Sequence, residues 1–374
     1  MTKPTILVTG ATGKTGSAVV AQLRERKWPV RAVVRSLDAR SARLERLGAE
    51  IAVADIFDYD ALRAAMAGTS RSYFCPPFHP HMLQGAVTFA LAARDAGLES
   101  IVSLTQWLAS PSHPSHSTRQ HWLVDRFFAQ LPDVKLTIVN PGLFADSPYL
   151  ALMPYAALLG VFPMPAQGAS RNAPPSAEDI ARVSVAALLD PATHAGKTYR
   201  PTGPELLSLD DMVGIIGGVL GRRVRHVPLP LWMFFKAARM DGYDPFSLIA
   251  FGAYMHELNA GAFASNAPTG DVLAVTGREP ESFETVARRY AASPHVRRTF
   301  PNVARAAARF MTVPFRPGLD PARYAAQLSL PAAAAPLYDL ESERWKAEHL
   351  GADGMARNLA RVQPLPAREP ASCT

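Results

Sequence analysis

Residues 5–16 read Thr-Ile-Leu-Val-Thr-Gly-Ala-Thr-Gly-Lys-Thr-Gly, and they indicate the fold of the chain. It begins with a short apolar run that is typical of a buried parallel strand. Three glycines, Gly10, Gly13 and Gly16, follow at three-residue spacing, and apolar residues then recur at helical spacing from Ala18 to Leu23. A strand, a glycine turn and a helix in this order indicate a dinucleotide-binding loop.

Each glycine of the loop has a physical reason. The first permits a tight turn, the second allows close approach to a pyrophosphate, and the third lets the helix pack against the strand. The pyrophosphate would bind the unpaired N–H groups at the N-terminus of the helix. The predicted cofactor-binding residues of the loop are Gly10, Thr12, Gly13, Lys14, Thr15 and Gly16.

The composition is that of a large globular protein. The 374 residues are 48% hydrophobic and 19% charged, enough for one large domain with appendages or for two domains. The net charge of +7 is spread along the chain, with no basic run, helix-turn-helix pattern or zinc spacing. We therefore expect an anionic cofactor as partner and no nucleic acid.

The sequence also bears on localisation. Its two cysteines, Cys75 and Cys373, lie far apart, which argues against a disulfide framework and favours the reducing cytoplasm. The first predicted strand starts within five residues of Met1, so we expect no signal peptide. The apolar segment 143–165 is interrupted by prolines and Asp146, which predicts a buried helix and loop over a pocket rather than a membrane span.

The second predicted strand, residues 30–35, ends in a basic residue, Arg35. In dinucleotide folds an acidic residue at this position favours NAD, whereas arginine accommodates the 2′-phosphate of NADP. Arg40 and Arg43 follow on the next helix, where they equally fit a solvated face. We predict that Arg35 contacts the cofactor and that NADP(H) is preferred, with NAD(H) as a second cofactor.

Strands and helices alternate along the first 150 residues. Further strands are predicted at 50–54, 72–75, 101–104 and 136–139, with helices at 59–67 and about 80–97. This alternation predicts a parallel sheet with right-handed crossovers. Asp55 follows the third strand, where it either accepts a hydrogen bond from the adenine amino group or closes a simple turn.

The order of these residues resembles the NmrA-like branch of the atypical short-chain dehydrogenase/reductase superfamily. The resemblance covers about residues 4–292. It is carried by residues 9–16, Arg35, Asp55 with Leu62, the Asn-Pro-Gly at 140–142, and the segments 176–181, 196–199, 202–208 and 277–284. It implies an α/β fold, a doubly wound parallel Rossmann sheet with a smaller α+β lobe on the substrate side.

The chain divides into three predicted regions, of which the resemblance implies the first two. Residues 1–150 would form the NAD(P)-binding core, and residues 151–292 an interleaved substrate-side lobe. Residues 293–374 form a C-terminal extension with predicted helices at 302–311, 320–328 and 339–361 and a disordered end. We assign this extension no function and expect it to wrap its own domain or a second subunit.

One departure from the family bears on the chemistry. Short-chain dehydrogenases usually carry Tyr-x-x-x-Lys after the fifth strand, with the tyrosine as proton donor and the lysine on the nicotinamide ribose. Between Ser103 and Pro141 this chain has no tyrosine, and its one lysine there, Lys135, lies at the sixth strand. Many NmrA-like members keep a lysine in this region, whereas this chain offers Arg119 or His121.

The candidate catalytic residues are His121, His116 and Gln106. Imidazole titrates near neutrality, so either histidine can replace the missing acid, although each histidine taken alone fits a capping or surface role better. The two histidines are five residues apart and do not share one face of a helix, so at most one of them would point into the cleft. Gln106 lies just past the fifth strand, at the carboxyl edge where ligands bind open sheets. The predicted cofactor site includes the glycine loop, Arg35 and Asp55. Its other predicted residues are Ser103, Arg119, Pro141 and Gly142.

The sequence predicts an NADP(H)-dependent oxidoreductase that transfers hydride to a small apolar carbonyl, enone or quinone-like acceptor. A quinone tolerates the missing tyrosine because water can protonate its reduced anion. The alternative is a non-catalytic NAD(P)-binding protein that senses redox state through a protein partner, and a cofactor-assisted lyase or isomerase is a third option. We expect a small apolar substrate, a protein partner or homodimer, no membrane partner and no metal, because His79, His81 and His113 lack suitably spaced partners.

Overall fold

The computed structural model describes residues 3–351 and the short strand at 357–358. Its strands are β1 Thr5–Val8, β2 Val30–Val34, β3 Glu50–Val53, β4 Thr69–Phe74, β5 Ser100–Leu104, β6 Lys135–Val139, β7 Val161–Met164, β8 Arg171–Asn172, β9 Lys197–Tyr199, β10 Leu207–Ser208, β11 Arg225–Pro228 and β12 Arg357–Asn358. The predicted strands at 50–54, 72–75, 101–104 and 136–139 correspond to β3 to β6.

Helices alternate with the strands in the first half of the chain and predominate in the second. They are α1 Lys14–Glu25, α2 Ala39–Arg46, α3 Tyr59–Met66, α4 Met82–Asp95, α5 His116–Phe128, α6 Met153–Leu159, α7 Ala177–Leu189, α8 Pro191–His194, α9 Leu209–Leu220, α10 Leu231–Met240, α11 Pro245–Ala260, α12 Asp271–Thr276, α13 Phe283–Ala291, α14 Phe300–Thr312, α15 Pro321–Gln327 and α16 Glu343–His349. A 3₁₀ turn at Val313–Phe315 follows α14 directly.

Eight strands form one sheet in the order β12-β9-β6-β5-β4-β1-β2-β3. All neighbours pair in parallel except β12, which is antiparallel to β9. The chain winds outward in both directions from β1, so the predicted doubly wound Rossmann sheet is confirmed. Ser103 on β5 is level with Phe74 on β4 and Ile138 on β6, and the chain leaves all three strands at one edge.

Apolar side chains bury both faces of the sheet. On one face, Val19 and Leu23 of α1 pack with Ile180 and Val183 of α7 against β1. On the other face, residues of α3, α4 and α5, such as Phe89, form a second core cluster. Burying such a side chain contributes about 1.5–3 kcal/mol to the free energy of unfolding. The sheet is thus a rigid platform with its carboxyl edge open for a ligand.

The lobe formed by residues 151–292 has its own apolar core beyond this edge. The core joins α6, α9, α11 and α13, with Phe162, Met212, Met255 and Val286 fully or almost fully buried. The lobe also contains two small sheets, β7 with β11 and β8 with β10. Segment 143–165 forms α6 and β7, and no helix within the described residues is long and apolar enough to cross a bilayer.

The extension wraps the core of its own chain, one of the two arrangements expected for it. Trp345 is fully buried, and its Nε1 donates to the Trp107 carbonyl at 3.2 Å. The backbone N–H of Leu337 donates to the Ser112 carbonyl at 2.9 Å. Of the helix predicted over 339–361, residues 343–349 form α16, and the prediction is wrong at residues 357–358, which pair with β9 as β12. The predicted disordered end lies outside the described residues.

Candidate cofactor and substrate site

The glycine loop joins β1 to α1 at the carboxyl edge of the sheet. Gly10 has a φ of +59°, and a Cβ built there would lie 2.9 Å from the Cys75 Cβ. A Cβ on Gly16 would lie 2.3 Å from the Gly10 carbonyl oxygen. The Gly13 N–H closes the turn by donating to the same oxygen at 2.9 Å. Side chains are therefore excluded at Gly10 and Gly16, and the backbone of the loop is open to a ligand.

The N-terminus of α1 fits an anionic ligand. Gly13 is its N-cap residue and supplies no side-chain hydrogen bond, and the first turn contains no acidic residue. By contrast, Asp38, Asp58 and Ser115 cap α2, α3 and α5 with side-chain oxygens. The first N–H groups of a helix have no intrahelical partner, and together with the helix dipole they attract phosphate. The loop residues present therefore fit the pyrophosphate of a dinucleotide.

Hydrogen bonds to β4 and to Cys75, just after it, fix the position of the glycine loop. The Thr9 Oγ1 accepts from the Cys75 backbone N–H at 2.9 Å. The Tyr73 hydroxyl and the Thr15 Oγ1 are hydrogen-bonded at 3.0 Å, so the Thr15 side chain also supports the loop. Burial raises the pKa of the Cys75 thiol to about 11, which keeps it protonated at neutral pH. These contacts fix the backbone geometry that the cofactor would meet.

Lys14 links the loop to the substrate-side lobe. Its Nζ donates to the Asp146 carbonyl at 3.0 Å and to the Tyr290 hydroxyl at 2.9 Å. The Tyr290 hydroxyl in turn donates to the Asp146 Oδ1 at 3.0 Å. Partial burial lowers the pKa of Lys14, and the Asp146 carboxylate opposes this change. The sequence reasoning missed Tyr290 and treated Asp146 only as a break in an apolar segment.

The ends of β2 and β3 bring Arg35 and Asp55 to the same neighbourhood. Both charges act on His79, whose pKa is lowered mainly by burial, further lowered by Arg35 and raised by Asp55. Asp55 accepts a hydrogen bond from the Phe57 N–H at 3.0 Å, so it closes a turn, and its contact with adenine stays a prediction. Arg40 is paired with Asp38 at 2.6 Å. Arg35, exposed and without an ion pair to any described residue, suits a phosphate better than Arg40.

Polar groups meet at the carboxyl end of β5. Ser103 is fully buried there, and Gln106 is buried just beyond the strand. The Tyr254 hydroxyl, reaching in from α11, faces the side chains of Gln106 and Thr118. Burial raises the pKa of Tyr254 above its usual value, so the phenol remains protonated and can donate a hydrogen bond. Sequence reasoning missed Tyr254 because it lies far along the chain from the fifth strand.

His121 faces a buried polar cluster on α5. Its Nδ1 lies 3.4 Å from the Thr105 Oγ1, which donates to the Asp125 Oδ2 at 2.9 Å. Burial lowers the pKa of His121 to about 4, and it raises the pKa of Asp125 to about 7. The imidazole is therefore neutral under physiological conditions. Its catalytic role stays a prediction, and the geometry favours a supporting role beneath β5.

The other predicted residues of α5 turn toward loops. The Arg119 guanidinium donates to the carbonyls of His113 at 2.6 Å and Pro114 at 2.9 Å, and also to the Pro331 carbonyl of the extension. The His116 Nε2 lies 3.2 Å from the Pro80 carbonyl, and burial lowers the pKa of this imidazole. Arg119 thus fastens the extension to the core, and its contact with the cofactor remains untested.

The loop after β6 forms a wall next to β5. The Pro141 carbonyl accepts from the Trp107 N–H at 3.1 Å, which fastens this loop to the segment after β5. A Cβ built on Gly142 would lie 3.1 Å from the Phe263 ring, so the loop packs tightly against the lobe. Pro141 and Gly142 are thereby held at the same edge as the glycine loop.

A large apolar cavity of about 1030 Å³ lies on the lobe side of this edge, and none of the predicted cofactor-binding residues lines it. Its walls combine the loops after β4 and β6 with helices of the lobe and the extension. Residues from these elements include Phe78, Pro148, Leu152, Tyr155, Met233, Phe234, Phe251, Tyr254, Phe310 and Met311. Tyr254 therefore joins the cavity to the polar group at the end of β5. A cavity of this size and lining suits an apolar organic ligand.

The structure brings Glu257 and Asp339 to His113, partners that the sequence did not reveal. The ligand-type atoms of the three residues lie within 4.8 Å of one another. However, the Ser115 N–H donates to the His113 Nδ1 at 3.0 Å, which leaves the ring proton on Nε2, 3.2 Å from a Glu257 oxygen. A protonated Nε2 cannot ligate a metal. The cluster is therefore better suited to hydrogen bonding than to holding an ion.

Solved structures with the same fold include the following three. An NADPH-dependent quinone oxidoreductase from Escherichia coli, complexed with NADPH, aligns with a TM-score of 0.64 and 21% identity over 76% of this chain and 99% of that chain. Triphenylmethane reductase from Citrobacter sp., complexed with NADP(H), gives a TM-score of 0.65 at 21% identity with the same coverage. A mutant NmrA aligns with a TM-score of 0.56 at 17% identity over 80% of this chain and 96% of that chain.

Sequence comparison decides the family. Residues 10–191 match the family model described as NAD(P)H-binding. An NAD(P)H azoreductase from Xenophilus azovorans is 32% identical over 293 residues, which are 77% of this chain and 98% of the azoreductase. The chain belongs to the NmrA-like branch of the atypical short-chain dehydrogenases/reductases. The predicted family is thus confirmed, and so is the predicted class of an NAD(P)H-dependent reductase without the Tyr-x-x-x-Lys pair.

In this NmrA-like protein, other side chains lie where short-chain dehydrogenases have the tyrosine and lysine of Tyr-x-x-x-Lys. Gln106 and Tyr254 face each other at the end of β5, whereas His121 is buried below and Arg119 is bonded to the extension. The predicted residues therefore share one edge of the sheet, but they do not converge on one point. Tyr155, Tyr243 and Tyr254 all line the cavity, and of these Tyr254 has its hydroxyl beside Gln106 at the end of β5.

Proposed function

We propose that this protein is an NADP(H)-dependent reductase whose acceptor is an apolar carbonyl, enone or quinone-like compound. The observation that carries the proposal is the apolar cavity of about 1030 Å³ bordered by the loops that follow β4 and β6. Its wall reaches from Phe78, after β4, and Pro148, after β6, to the lobe. An acceptor in this cavity would therefore lie next to the edge that carries the glycine loop.

The glycine loop, Arg35 and the β6 loop would hold the cofactor. The uncapped N-terminus of α1 would take the pyrophosphate, and the exposed guanidinium of Arg35 would take a 2′-phosphate. Bound NADPH supplies a hydride, which is the chemistry that the protein itself lacks. Arginine pairs with phosphate through charge-assisted hydrogen bonds, and this pairing supports NADP(H) over NAD(H).

Tyr254 would bind and orient the acceptor. Tyr254 lines the cavity, and its protonated hydroxyl lies beside Gln106 and Thr118. From there it can donate a hydrogen bond to an acceptor oxygen and stabilise the negative charge that develops on it. The apolar walls exclude water and strengthen this interaction. Tyr254 thus replaces in function the tyrosine that the sequence lacks after β5.

Steady-state oxidation of NADPH in the presence of quinones, enones, aldehydes and azo compounds tests this function. The proposal predicts turnover with the more apolar acceptors and little with small polar aldehydes. Isothermal titration of NADPH, run on the same preparation, separates binding from turnover. Tight NADPH binding without turnover of any acceptor class would contradict the reductase and favour the regulatory alternative.

A further inference from the structure

Three large apolar side chains are exposed at the mouth of the cavity. Met311 is 70% exposed and Phe315 is 87% exposed, and both also line the cavity. Trp232 is 51% exposed on α10. Trp232 lies close to Met311 and Phe315, because Lys236 contacts both regions. The Lys236 Nζ donates to the Pro314 carbonyl at 2.9 Å and lies 5.1 Å from the Trp232 ring centre. We call Trp232, Met311 and Phe315 the rim patch.

The surroundings of the rim patch are strongly basic. Residues 293–330 contain six arginines and one aspartate, Asp320. Arg316 is exposed directly after Phe315, and Arg239 of α10 donates to the Gly318 carbonyl at 3.3 Å. The nearby Asp241 is already paired with Arg309. Exposed aromatic and apolar side chains therefore lie among positive charges with few acidic neighbours.

Helix α14 has the character of an interfacial helix. None of its 13 residues is buried, although Phe310 lies 6.3 Å from the Tyr155 ring and faces the cavity. Phe300 and Arg305 of this helix are also exposed, in addition to Met311. Helices that rest on bilayers combine apolar side chains with arginine or lysine in this way.

We propose that the rim patch and its arginines bind the surface of an anionic lipid bilayer. Each basic side chain near such a surface is attracted to it, and Trp232 and Phe315 would enter the headgroup boundary. The cavity mouth would then face the acyl chains, so an apolar acceptor could enter from the bilayer. This second step rests on the proposed function, whereas bilayer binding itself does not.

The bilayer fits the rim patch better than a second copy of the chain. Two copies joined through this surface would oppose their arginines to each other, and like charges across an interface disfavour association. The prediction of no membrane partner came from the absence of a continuous apolar segment. The rim patch escapes such a search because α10, α14 and the 3₁₀ turn after α14 each contribute one residue.

Vesicle co-sedimentation of the full-length protein, without cofactor or acceptor, tests bilayer binding. We expect at least about tenfold stronger binding to phosphatidylglycerol-containing vesicles than to pure phosphatidylcholine vesicles, weakened by high salt. The double variant Met311→Ser/Phe315→Ser and the single variant Arg316→Glu should each weaken binding by about tenfold. Leu91→Ser on α4 and Arg46→Glu on α2 are matched exposed controls and should bind like the wild type.

Three results would overturn the proposal. One is equal binding to anionic and neutral vesicles, and another is binding that survives Met311→Ser/Phe315→Ser, which would indicate a purely electrostatic surface. The third is a concentration-dependent dimer in light scattering that Phe315→Ser disrupts, which would assign the rim patch to a second copy. NADPH oxidation with a water-soluble quinone, measured without vesicles, reports on the reductase function separately.

Discussion

Tyr254 reaches the end of β5 from a helix that no local sequence pattern connects with that strand. Its hydroxyl faces Gln106, and its ring forms part of the cavity wall. On the cofactor side, the proposed function depends in the same way on Arg35, which is exposed at the end of β2. The proposed function therefore depends on two single side chains, Tyr254 for the acceptor and Arg35 for the 2′-phosphate.

Tyr254→Phe should lower kcat by about 10- to 100-fold, because it removes a hydrogen-bond donor that acts on developing charge. The dissociation constant of NADPH should change little, since the hydroxyl does not form part of the glycine loop. Tyr243→Phe is the matched control, because Tyr243 lines the same cavity. Equal losses of kcat in the two variants, measured by NADPH oxidation, would rule out a specific role for Tyr254.

Arg35→Ser should weaken NADPH binding by about tenfold or more and leave NADH binding unchanged, because only NADPH carries the 2′-phosphate. Arg46→Ser, at an exposed position of α2, provides the control for a general loss of positive charge. Titration calorimetry with both cofactors gives the comparison. A parallel loss of affinity for NADPH and NADH would show that Arg35 does not read the 2′-phosphate.

At the scale of elements, two junctions hold the site together. The glycine loop packs α1 against β1 so closely that the Gly10 carbonyl occupies the space of a Gly16 side chain. The extension is fastened through Trp345, which fills a space behind Trp107, and through Asp339 beside Glu257. The first junction shapes the cofactor site, and the second positions the extension that closes one side of the cavity.

Gly16→Ala should lower stability by about 1–3 kcal/mol and weaken NADPH binding, because its Cβ would overlap the Gly10 carbonyl at 2.3 Å. Gly218→Ala in α9 is the matched control, since a Cβ there meets no atom within 4 Å. Alanine is the better helix former, so this control should be neutral or stabilise by up to about 1 kcal/mol. Denaturant unfolding that ranks the two variants alike would contradict the packing of the loop.

Asp339→Asn should reduce the pH dependence of stability. Burial, reinforced by the Glu257 carboxylate, raises the pKa of Asp339 well above its unfolded value, so the folded state holds an extra proton. The stabilisation is complete in acid and is lost as the pH rises, by at most about 1.4 kcal/mol per pH unit.

Thermal unfolding between about pH 6 and pH 9 measures this effect. The wild type should lose more stability than Asp339→Asn, because the amide mimics the protonated acid and does not titrate. Asp320→Asn, at an exposed cap of α15, should follow the wild type. Identical slopes for the wild type and Asp339→Asn would contradict a protonated Asp339 in the fold.

At the scale of the whole molecule, the sequence predicts the sheet far better than the cavity. Residues 5–16 specify a strand, a turn and a helix locally, so the Rossmann core follows from short-range pattern alone. Tyr254, Tyr290 and Asp339 reach the site from distant segments, and no spacing rule connects them with β5 or α1. The rim patch is likewise assembled from separate elements, which is why hydropathy along the chain did not reveal it.

Binding of the acceptor in the cavity is tested by the kcat/KM of NADPH-dependent reduction for quinones with alkyl chains of increasing length. If the acceptor occupies the cavity, kcat/KM should rise by about fourfold per methylene until the cavity is filled. Ala237→Trp, which fills part of the cavity, should abolish this rise, whereas Ala304→Trp on the exposed side of α14 should preserve it. A kcat/KM that is independent of chain length would contradict binding of the acceptor in the cavity. A rise with chain length that persists in Ala237→Trp would contradict it as well.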